Sequence, residues 1–455
     1  MHTTFHLVTQ GCKVNQYETQ ALREAWLGAG HAEVETPEAA AVVVINSCAV
    51  TARAVTDLRQ LVGRVHRAAP AARIIVTGCA AQVVCDTLAT LPGVHAIVPQ
   101  ASKDALVHYT LCDDATLPQG TVLPERGSVP QTVRHTVAAG ETPHFPDLRI
   151  SGFSRARPVV KVQDGCSHRC TYCIVPLARG RSRSRQPDEV VAEARALLTS
   201  GYRELIISGV NLRQYGADLP HTPDFWALLQ HLERALAPEW AGRARLRLSS
   251  LEPGQLHERA LDVLGNSRLV CPSLHISLQS GSHPVLQRMG RSHYRVDGLA
   301  RFLEGLAAHW PLFGLGADVL VGFPGETEAE FAETVAYLRS LPFSYAHVFP
   351  YSRRPGTVAA TMKNQLPREV KKARATQLRA EVATWKARFA ATLLALPQLS
   401  LVLDGHGGRK GVCEYYAECR LRSLPATVNR REVLAVTPVA LEGETVLVDL
   451  VPSRG

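Results

Sequence analysis

Four short apolar runs punctuate the first quarter of the chain: Phe5-His-Leu-Val, Ala41-Val-Val-Val-Ile, Arg73-Ile-Ile-Val and His95-Ala-Ile-Val. Runs this continuous read as parallel strands buried on both faces. Helical stretches lie between them, and the βαβα order predicts a doubly wound parallel sheet over residues 1–125. The alternation resumes after residue 150. Strands are expected at Pro158-Val-Val-Lys-Val-Gln, Glu204-Leu-Ile-Ile-Ser, Arg245-Leu-Arg-Leu-Ser, Leu274-His-Ile-Ser-Leu, Ala317-Asp-Val-Leu-Val and Tyr345-Ala-His-Val-Phe. Six such βα units predict an open partial (β/α)6 barrel related to the TIM barrel, with its site at the carboxyl ends of the strands. A basic stretch from Lys363 to Arg388 carries Val370, Leu378, Val382 and Trp385 at helical spacing. The last segment places short β runs at Leu399-Ser-Leu-Val-Leu, Gly411-Val-Cys-Glu-Tyr-Tyr, Glu432-Val-Leu-Ala-Val and Thr445-Val-Leu-Val-Asp-Leu, which predicts a small β-barrel. The expected domains are therefore 1–125, a Pro- and Gly-rich linker at 126–150, 151–394 and 395–455.

Composition narrows the class. With 455 residues, 46% of them hydrophobic, the chain can bury two or three cores. No apolar run is long enough to span a bilayer, and Met1-His-Thr-Thr-Phe-His lacks the regions of a signal peptide. A monomeric cytoplasmic protein with no membrane partner is expected. The net charge of +9 fits a polyanionic partner such as nucleic acid, or simply a solvated basic surface. Arg179, Arg181, Arg183 and Arg185 alternate in one stretch, and the first three are candidate RNA contacts. Small barrels of the terminal type often bind RNA. Tyr415 and Tyr416 could stack on bases there, with core packing as the alternative.

The eleven cysteines carry the chemistry. Cys166, Cys170 and Cys173 stand in Asp164-Gly-Cys-Ser-His-Arg-Cys-Thr-Tyr-Cys, a C-x-x-x-C-x-x-C spacing. Three thiolates this close can hold three irons of a [4Fe-4S] cube and leave the fourth iron open. An open coordination position marks a site for chemistry. The alternative is zinc, with His168 as a further ligand, although no second ligand pair follows at zinc-finger distance. Three further cysteines each follow a predicted strand, at Gln10-Gly-Cys12, Asn46-Ser-Cys48 and Thr77-Gly-Cys79. Parallel strands end on one edge, so these thiols are expected to converge and to suit a second cluster with an open iron. The alternative is three inert core cysteines. Cys85, Cys112, Cys271, Cys413 and Cys419 read as small core hydrophobes.

The Cys166 spacing resembles the radical S-adenosylmethionine (SAM) superfamily, where SAM binds the open iron and is cleaved to a 5′-deoxyadenosyl radical. Three predicted turns at the carboxyl edge are the candidate SAM contacts. They supply Ser208, Gly209 and Asn211; Gln279 and Ser280; and Phe323 with Pro324, which could pack an adenine ring. Taken singly, each is an ordinary turn or helix cap.

The wider set of motifs resembles the radical SAM methylthiotransferases over essentially the whole chain. It comprises Gly11-Cys-Lys-Val-Asn-Gln-Tyr-Glu18, Asn46-Ser-Cys-Ala-Val-Thr51, Thr77-Gly-Cys-Ala-Ala-Gln82, Asp164-Gly-Cys through Ile174-Val-Pro-Leu-Ala-Arg-Gly180, Leu278-Gln-Ser-Gly-Ser282 and Gly322-Phe-Pro-Gly-Glu-Thr327. Ser277 departs from the family's usual proline. The resemblance implies a methylthiotransferase domain, a radical SAM domain and a terminal TRAM domain. It also implies two [4Fe-4S] clusters, SAM as methyl donor and radical source, an electron donor and a sulfur source. No catalytic residue beyond the cluster ligands is implied. The sequence around Cys12 is similar to the branch acting on N6-threonylcarbamoyladenosine beside the anticodon of tRNA, so an anticodon stem-loop is the expected substrate. Isopentenyladenosine in tRNA and an aspartate of a ribosomal protein are the alternative family substrates. A zinc-containing RNA-binding protein is the non-enzymatic alternative.

Overall fold

The structure is a computed structural model that describes residues 2–124, 145–294, 297–404, 408–424 and 428–451. Most of the expected linker, 126–144, lies outside the described residues. The chain begins β1 (Thr4–Gln10), α1 (Lys13–Gly28), β2 (Ala32–Glu33), β3 (Val42–Ser47), α2 (Ala52–Ala68), β4 (Arg73–Gly78), α3 (Cys79–Val83), α4 (Cys85–Ala89) and β5 (Val94–Ile97). It continues with β6 (Val159–Lys161), β7 (Gln163–Asp164), α5 (Val175–Arg179), β8 (Arg183–Ser184), α6 (Pro187–Thr199), β9 (Glu204–Ser208), α7 (Phe225–Trp240), β10 (Arg245–Leu248), α8 (Glu258–Gly265) and β11 (Ser273–Gln279). Then come α9 (His283–Arg288), α10 (Asp297–His309), β12 (Gly314–Val321), α11 (Glu328–Arg339), β13 (Tyr345–Pro350) and α12 (Arg368–Leu394). The last strands are β14 (Leu399–Leu403), β15 (Lys410–Cys413), β16 (Glu418–Leu421), β17 (Leu434–Glu442) and β18 (Thr445–Leu450).

Contacts gather these elements into two compact units that do not follow chain order. The first holds Met1–Ser151, Gln163–Ser184 and Ser352–Ala360; the second holds the remainder. The loop bearing Cys166, Cys170 and Cys173 thus belongs with the N-terminal sheet.

In the first unit five parallel strands run β2-β1-β3-β4-β5. Alternate residues of each strand feed opposite faces. Val43, Ile45, Ile74 and Val76 pack with Leu58, Val62 and Val65 of α2. Val42, Val44, Ile75, Phe5 and Leu7 pack with Leu22 and Trp26 of α1. Helices on both faces make the sheet doubly wound. Full burial of side chains such as these contributes about 1.5–3 kcal/mol each. Thr51 caps α2 by accepting from the Ala54 N–H at 3.1 Å. The two-residue β2 was not expected; it is too short to show an apolar run.

The second unit pairs β10-β9-β6 and β11-β12-β13 in two parallel sheets, with a parallel bridge from Leu251 to Ile276. These six strands form the TIM-like barrel fold. In β11 the Ser277 N–H donates to Leu251 O at 2.8 Å, a bond that proline could not make. The α12 helix buries Leu378, Val382 and Trp385. The terminal segment is a closed five-stranded barrel, β14-β15-β16-β18-β17, filled by Leu399, Leu401, Cys413, Cys419, Val436, Val446 and Val448. The strand expected to run through Tyr416 stops at Cys413, because Glu414, Tyr415 and Tyr416 turn the chain into β16. Tyr416 takes φ +65° in that turn.

Candidate functional site

Strand register builds the first cysteine centre. Gln10 pairs with Ser47, and Ser47 with Gly78, at the carboxyl ends of three adjacent strands. The chain leaves this row into Cys12, which precedes α1, into Cys48, and into Cys79, which opens α3. Gly78 is required here. Its φ is +94°, and a Cβ on it would lie 2.3 Å from Ser47 O. Cys12 is exposed, Cys48 half-buried and Cys79 buried. Burial pushes the Cys48 thiol up to about 11; the nearby Cys79 and Cys12 add to this, while the Val50 N–H and Arg179 oppose it. Burial likewise raises Cys79, against the positive charges of Arg179 and Lys103. Three thiols whose charged forms would repel one another, with two cations behind them, are a donor set suited to a thiolate-ligated metal centre.

A buried polar network holds the row. Asn15 Nδ2 donates to Ser47 O at 3.0 Å and to Asn46 Oδ1 at 3.1 Å. Asn46 Nδ2 returns bonds to Asn15 O and Thr19 Oγ1, both at 3.0 Å. Lys103 Nζ donates to Asn46 Oδ1 at 3.0 Å and pairs with Glu18. Asn15, Glu18 and Asn46 thus fix the turns that carry Cys12 and Cys48.

The second cysteine centre lies in the same unit. Cys166, Cys170 and Cys173 are half-buried on one loop. The Cys166 N–H donates to Gly180 O and the Cys173 N–H to Cys170 O, both at 3.0 Å. The α5 helix that follows packs against α3, which starts at Cys79. Its last residue, Arg179, is buried. It donates to Glu18 Oε1, Asp164 Oδ1 and Asn15 Oδ1, each at 2.8 Å. One guanidinium therefore joins the helix after Cys12 to the strand before Cys166. Among the described cysteines none is in a disulfide.

This placement corrects the expected RNA contacts. Arg179 faces inward because two carboxylates meet it there. Arg183 is also buried and bridges to Asp164 at 3.3 Å, and Arg185 pairs with Glu193 at 2.8 Å. Arg181 alone of the four is exposed. Tyr416 packs at a tilt against Tyr345, with centroids 5.2 Å apart, and sits under the Arg247 guanidinium. Tyr415 is half-buried against the terminal barrel core, and its carbonyl would lie 1.9 Å from a Cβ on Gly314. Both tyrosines thus have packing partners. Arg247 and Arg245 flank Glu204 and reach the carbonyls of Cys413, Glu414, Ser400 and Val412. Sequence reading gave no signal for this link between the (β/α) strands and the terminal barrel.

The candidate SAM residues divide by burial. Ser280 is fully buried and bonds Thr334 Oγ1 at 3.0 Å, so it braces the turn. Phe323 is also fully buried and meets Tyr351 edge-on, with centroids 5.7 Å apart, so its ring is not open to pack an adenine. Pro324 is buried beside it. Ser208 and Asn211 are buried, and Asn211 caps the following turn at the Arg213 N–H. Gly209 and Gln279 are half-buried. Gln279 takes φ +67°, a strained conformation for a side chain of its kind and one often found at ligand sites. On the same sheet His275 Nε2 lies 3.1 Å from Asp318 Oδ1, and His347 completes a group of ligand-type atoms within 4.8 Å. No described helix is long and apolar enough to cross a membrane.

Residues 160–338 match the radical SAM superfamily, and residues 4–99 match the uncharacterized protein family UPF0004. The threonylcarbamoyladenosine tRNA methylthiotransferase MtaB of Bacillus subtilis is 36% identical over 82% of this chain and 78% of its own length. The tRNA-2-methylthio-N(6)-dimethylallyladenosine synthase of Caldicellulosiruptor saccharolyticus is 33% identical over 82% of this chain and 77% of its own. Among solved structures, the radical SAM methyltransferase TsrM of Kitasatospora setae aligns at TM-score 0.58 and 17% identity, covering 79% of this chain and 74% of that one, a likeness of fold. The strand-end cysteines, the Cys166 loop and these relatives together place the chain in the radical SAM methylthiotransferase family, with the MtaB-type members.

Proposed function

We propose that this protein adds a methylthio group to carbon 2 of N6-threonylcarbamoyladenosine beside the tRNA anticodon, in the cytoplasm and as a monomer. The observation that carries this reading is the pair of cysteine sets in one unit, joined by Arg179. The named relatives at 32–36% identity supply the substrate class. Radical SAM membership implies a [4Fe-4S] cluster and SAM, and Cys166, Cys170 and Cys173 would hold that cluster. The same donor chemistry supports a second [4Fe-4S] cluster on Cys12, Cys48 and Cys79. When bound, the two groups would supply SAM reduction and a place for sulfur, fed by an external electron donor and sulfur source.

The chain's own residues have definable work in this reading. Arg179 and Lys103 offset the thiolate charge around Cys79. Asn15, Glu18 and Asn46 set the spacing of the first row. Gly209 and Gln279 are the proposed SAM contacts that stay partly open. Arg181 is the proposed RNA contact from its stretch.

The test is anaerobic reconstitution followed by reaction with anticodon stem-loops bearing either threonylcarbamoyladenosine or isopentenyladenosine. The reading expects about eight irons per chain and methylthio product on the threonylcarbamoyl substrate. Product on the isopentenyl substrate alone would overturn the substrate assignment. A colourless protein holding zinc would overturn the enzyme reading.

A further inference from the structure

The segment Ser352–Ala360 belongs to the first unit and is fastened at both ends to cysteine turns. Ser352 Oγ accepts the Ala52 N–H at 3.2 Å, just after the Cys48 turn. The Ala359 N–H donates to Thr171 O at 2.7 Å, between Cys170 and Cys173. Arg354 lies between these anchors and is 5% exposed. Among the described residues its Nε is completely enclosed and has no hydrogen-bond partner. Cys48 is the ionisable neighbour close enough to influence it.

This arginine differs from the other buried ones. Arg179, Arg183, Arg185, Arg245, Arg247, Arg291 and Arg374 each meet a carboxylate. A guanidinium keeps its charge at any working pH, so Arg354 cannot escape the cost of burial by losing a proton. An enclosed N–H left without an acceptor is costly. Its planar fork favours an anion that can accept adjacent N–H groups. Among the described residues no carboxylate pairs with Arg354, and Cys48 is the ionisable group that acts on it.

We propose that Arg354 binds a small reduced-sulfur anion, of the hydrosulfide or thiolate class, beside the Cys12, Cys48 and Cys79 centre. The inference rests on the two-centre reading above. Methylthio transfer consumes one sulfur atom per product, and reduced sulfur presented at a metal centre is anionic. The group that positions it needs positive charge without competing protons to lose, and Arg354 has that character.

The experiment uses the reconstituted full-length protein, with iron counted before each titration. Sodium hydrosulfide and methanethiolate are titrated separately, and binding is read from the electron paramagnetic resonance and absorption of the clusters. In the wild type at least one of the two anions saturates the signal, and which one identifies the source. Arg354→Gln keeps full iron but binds that anion at least about tenfold more weakly; Arg354→Lys falls between. Equal affinity in wild type and Arg354→Gln overturns the proposal. Loss of iron from the first centre in both variants also overturns it, because Arg354 then serves the cluster. A wild type that binds neither anion at full iron does the same. Only about half the iron in the wild type instead defeats the two-centre reading on which it rests. Thermal melts show whether the variants are folded.

Discussion

Arg179 and Glu18 lie 161 positions apart and form a two-point buried ion pair, Nη1 to Oε1 at 2.8 Å and Nη2 to Oε2 at 3.2 Å. Arg179 also reaches Asp164, two residues before Cys166. Removing it would leave Glu18 to Lys103 and Asp164 to Arg183, and would take the shared guanidinium from between two buried carboxylates, a loss of about 3 kcal/mol. Arg179→Ala is therefore expected to lower the melting temperature and to reduce iron at both centres. Arg179→Lys keeps the charge but not the fork, and should lose less. Calorimetry and iron analysis of the two variants check this.

Gly78 has no room for a side chain. Gly78→Ala would press a Cβ against Ser47 O at 2.3 Å in a left-handed conformation. The end of β4 must then shift and carry Cys79 out of the row. About half the iron should be lost, while SAM cleavage supported by the Cys166 loop persists. Iron content and 5′-deoxyadenosine release, measured together, read both halves of this expectation.

Thiol reactivity in the iron-free protein should follow burial. At pH 8, iodoacetamide is expected to label Cys12 and Cys112 first; both are exposed, and Cys112 is thereby not the core residue that sequence suggested. Cys48, raised to about 11, holds its proton there and should react appreciably only as the pH climbs toward that value. Peptide mass mapping across pH gives the order. Rapid labelling of Cys48 at pH 8 would contradict the buried environment described for it.

Glu204 anchors the second unit. Burial opposes its charge, but the guanidiniums of Arg245 and Arg247 together outweigh that and hold the carboxyl far below the usual range. A depressed carboxylate pKa contributes stability above the unfolded value of about 4.3 and loses it as pH falls toward the folded value. Glu204→Gln should cost about 3–5 kcal/mol at neutral pH. The gap from wild type should stay flat from about pH 5 to 8 and narrow below about pH 4. Denaturant unfolding at several pH values measures it.

The parts legible in sequence are those with a local signal. Val42 to Ile45 and Ile74 to Val76 are buried parallel strands, so their apolar runs and the cysteines after them could be placed by order alone. Contacts between distant residues had no such signal. Nothing near Arg179 points to Glu18, and an alternating arginine stretch looks the same whether it faces RNA or a buried carboxylate. Phe323 shows the same limit: a Phe-Pro turn reads as a ring platform until burial shows the ring closed off. The Ser352–Ala360 segment follows a barrel strand in sequence, yet packs with the cysteine sheet.

The division of labour between the two cysteine sets is the central claim. It is tested most directly by giving reconstituted Cys48→Ala the threonylcarbamoyladenosine stem-loop, SAM and a reductant, and measuring 5′-deoxyadenosine and methylthio nucleoside in the same reaction. The account predicts that 5′-deoxyadenosine is still released while the methylthio nucleoside disappears; Cys170→Ala should abolish both. Methylthio product from Cys48→Ala at the wild-type level would contradict it.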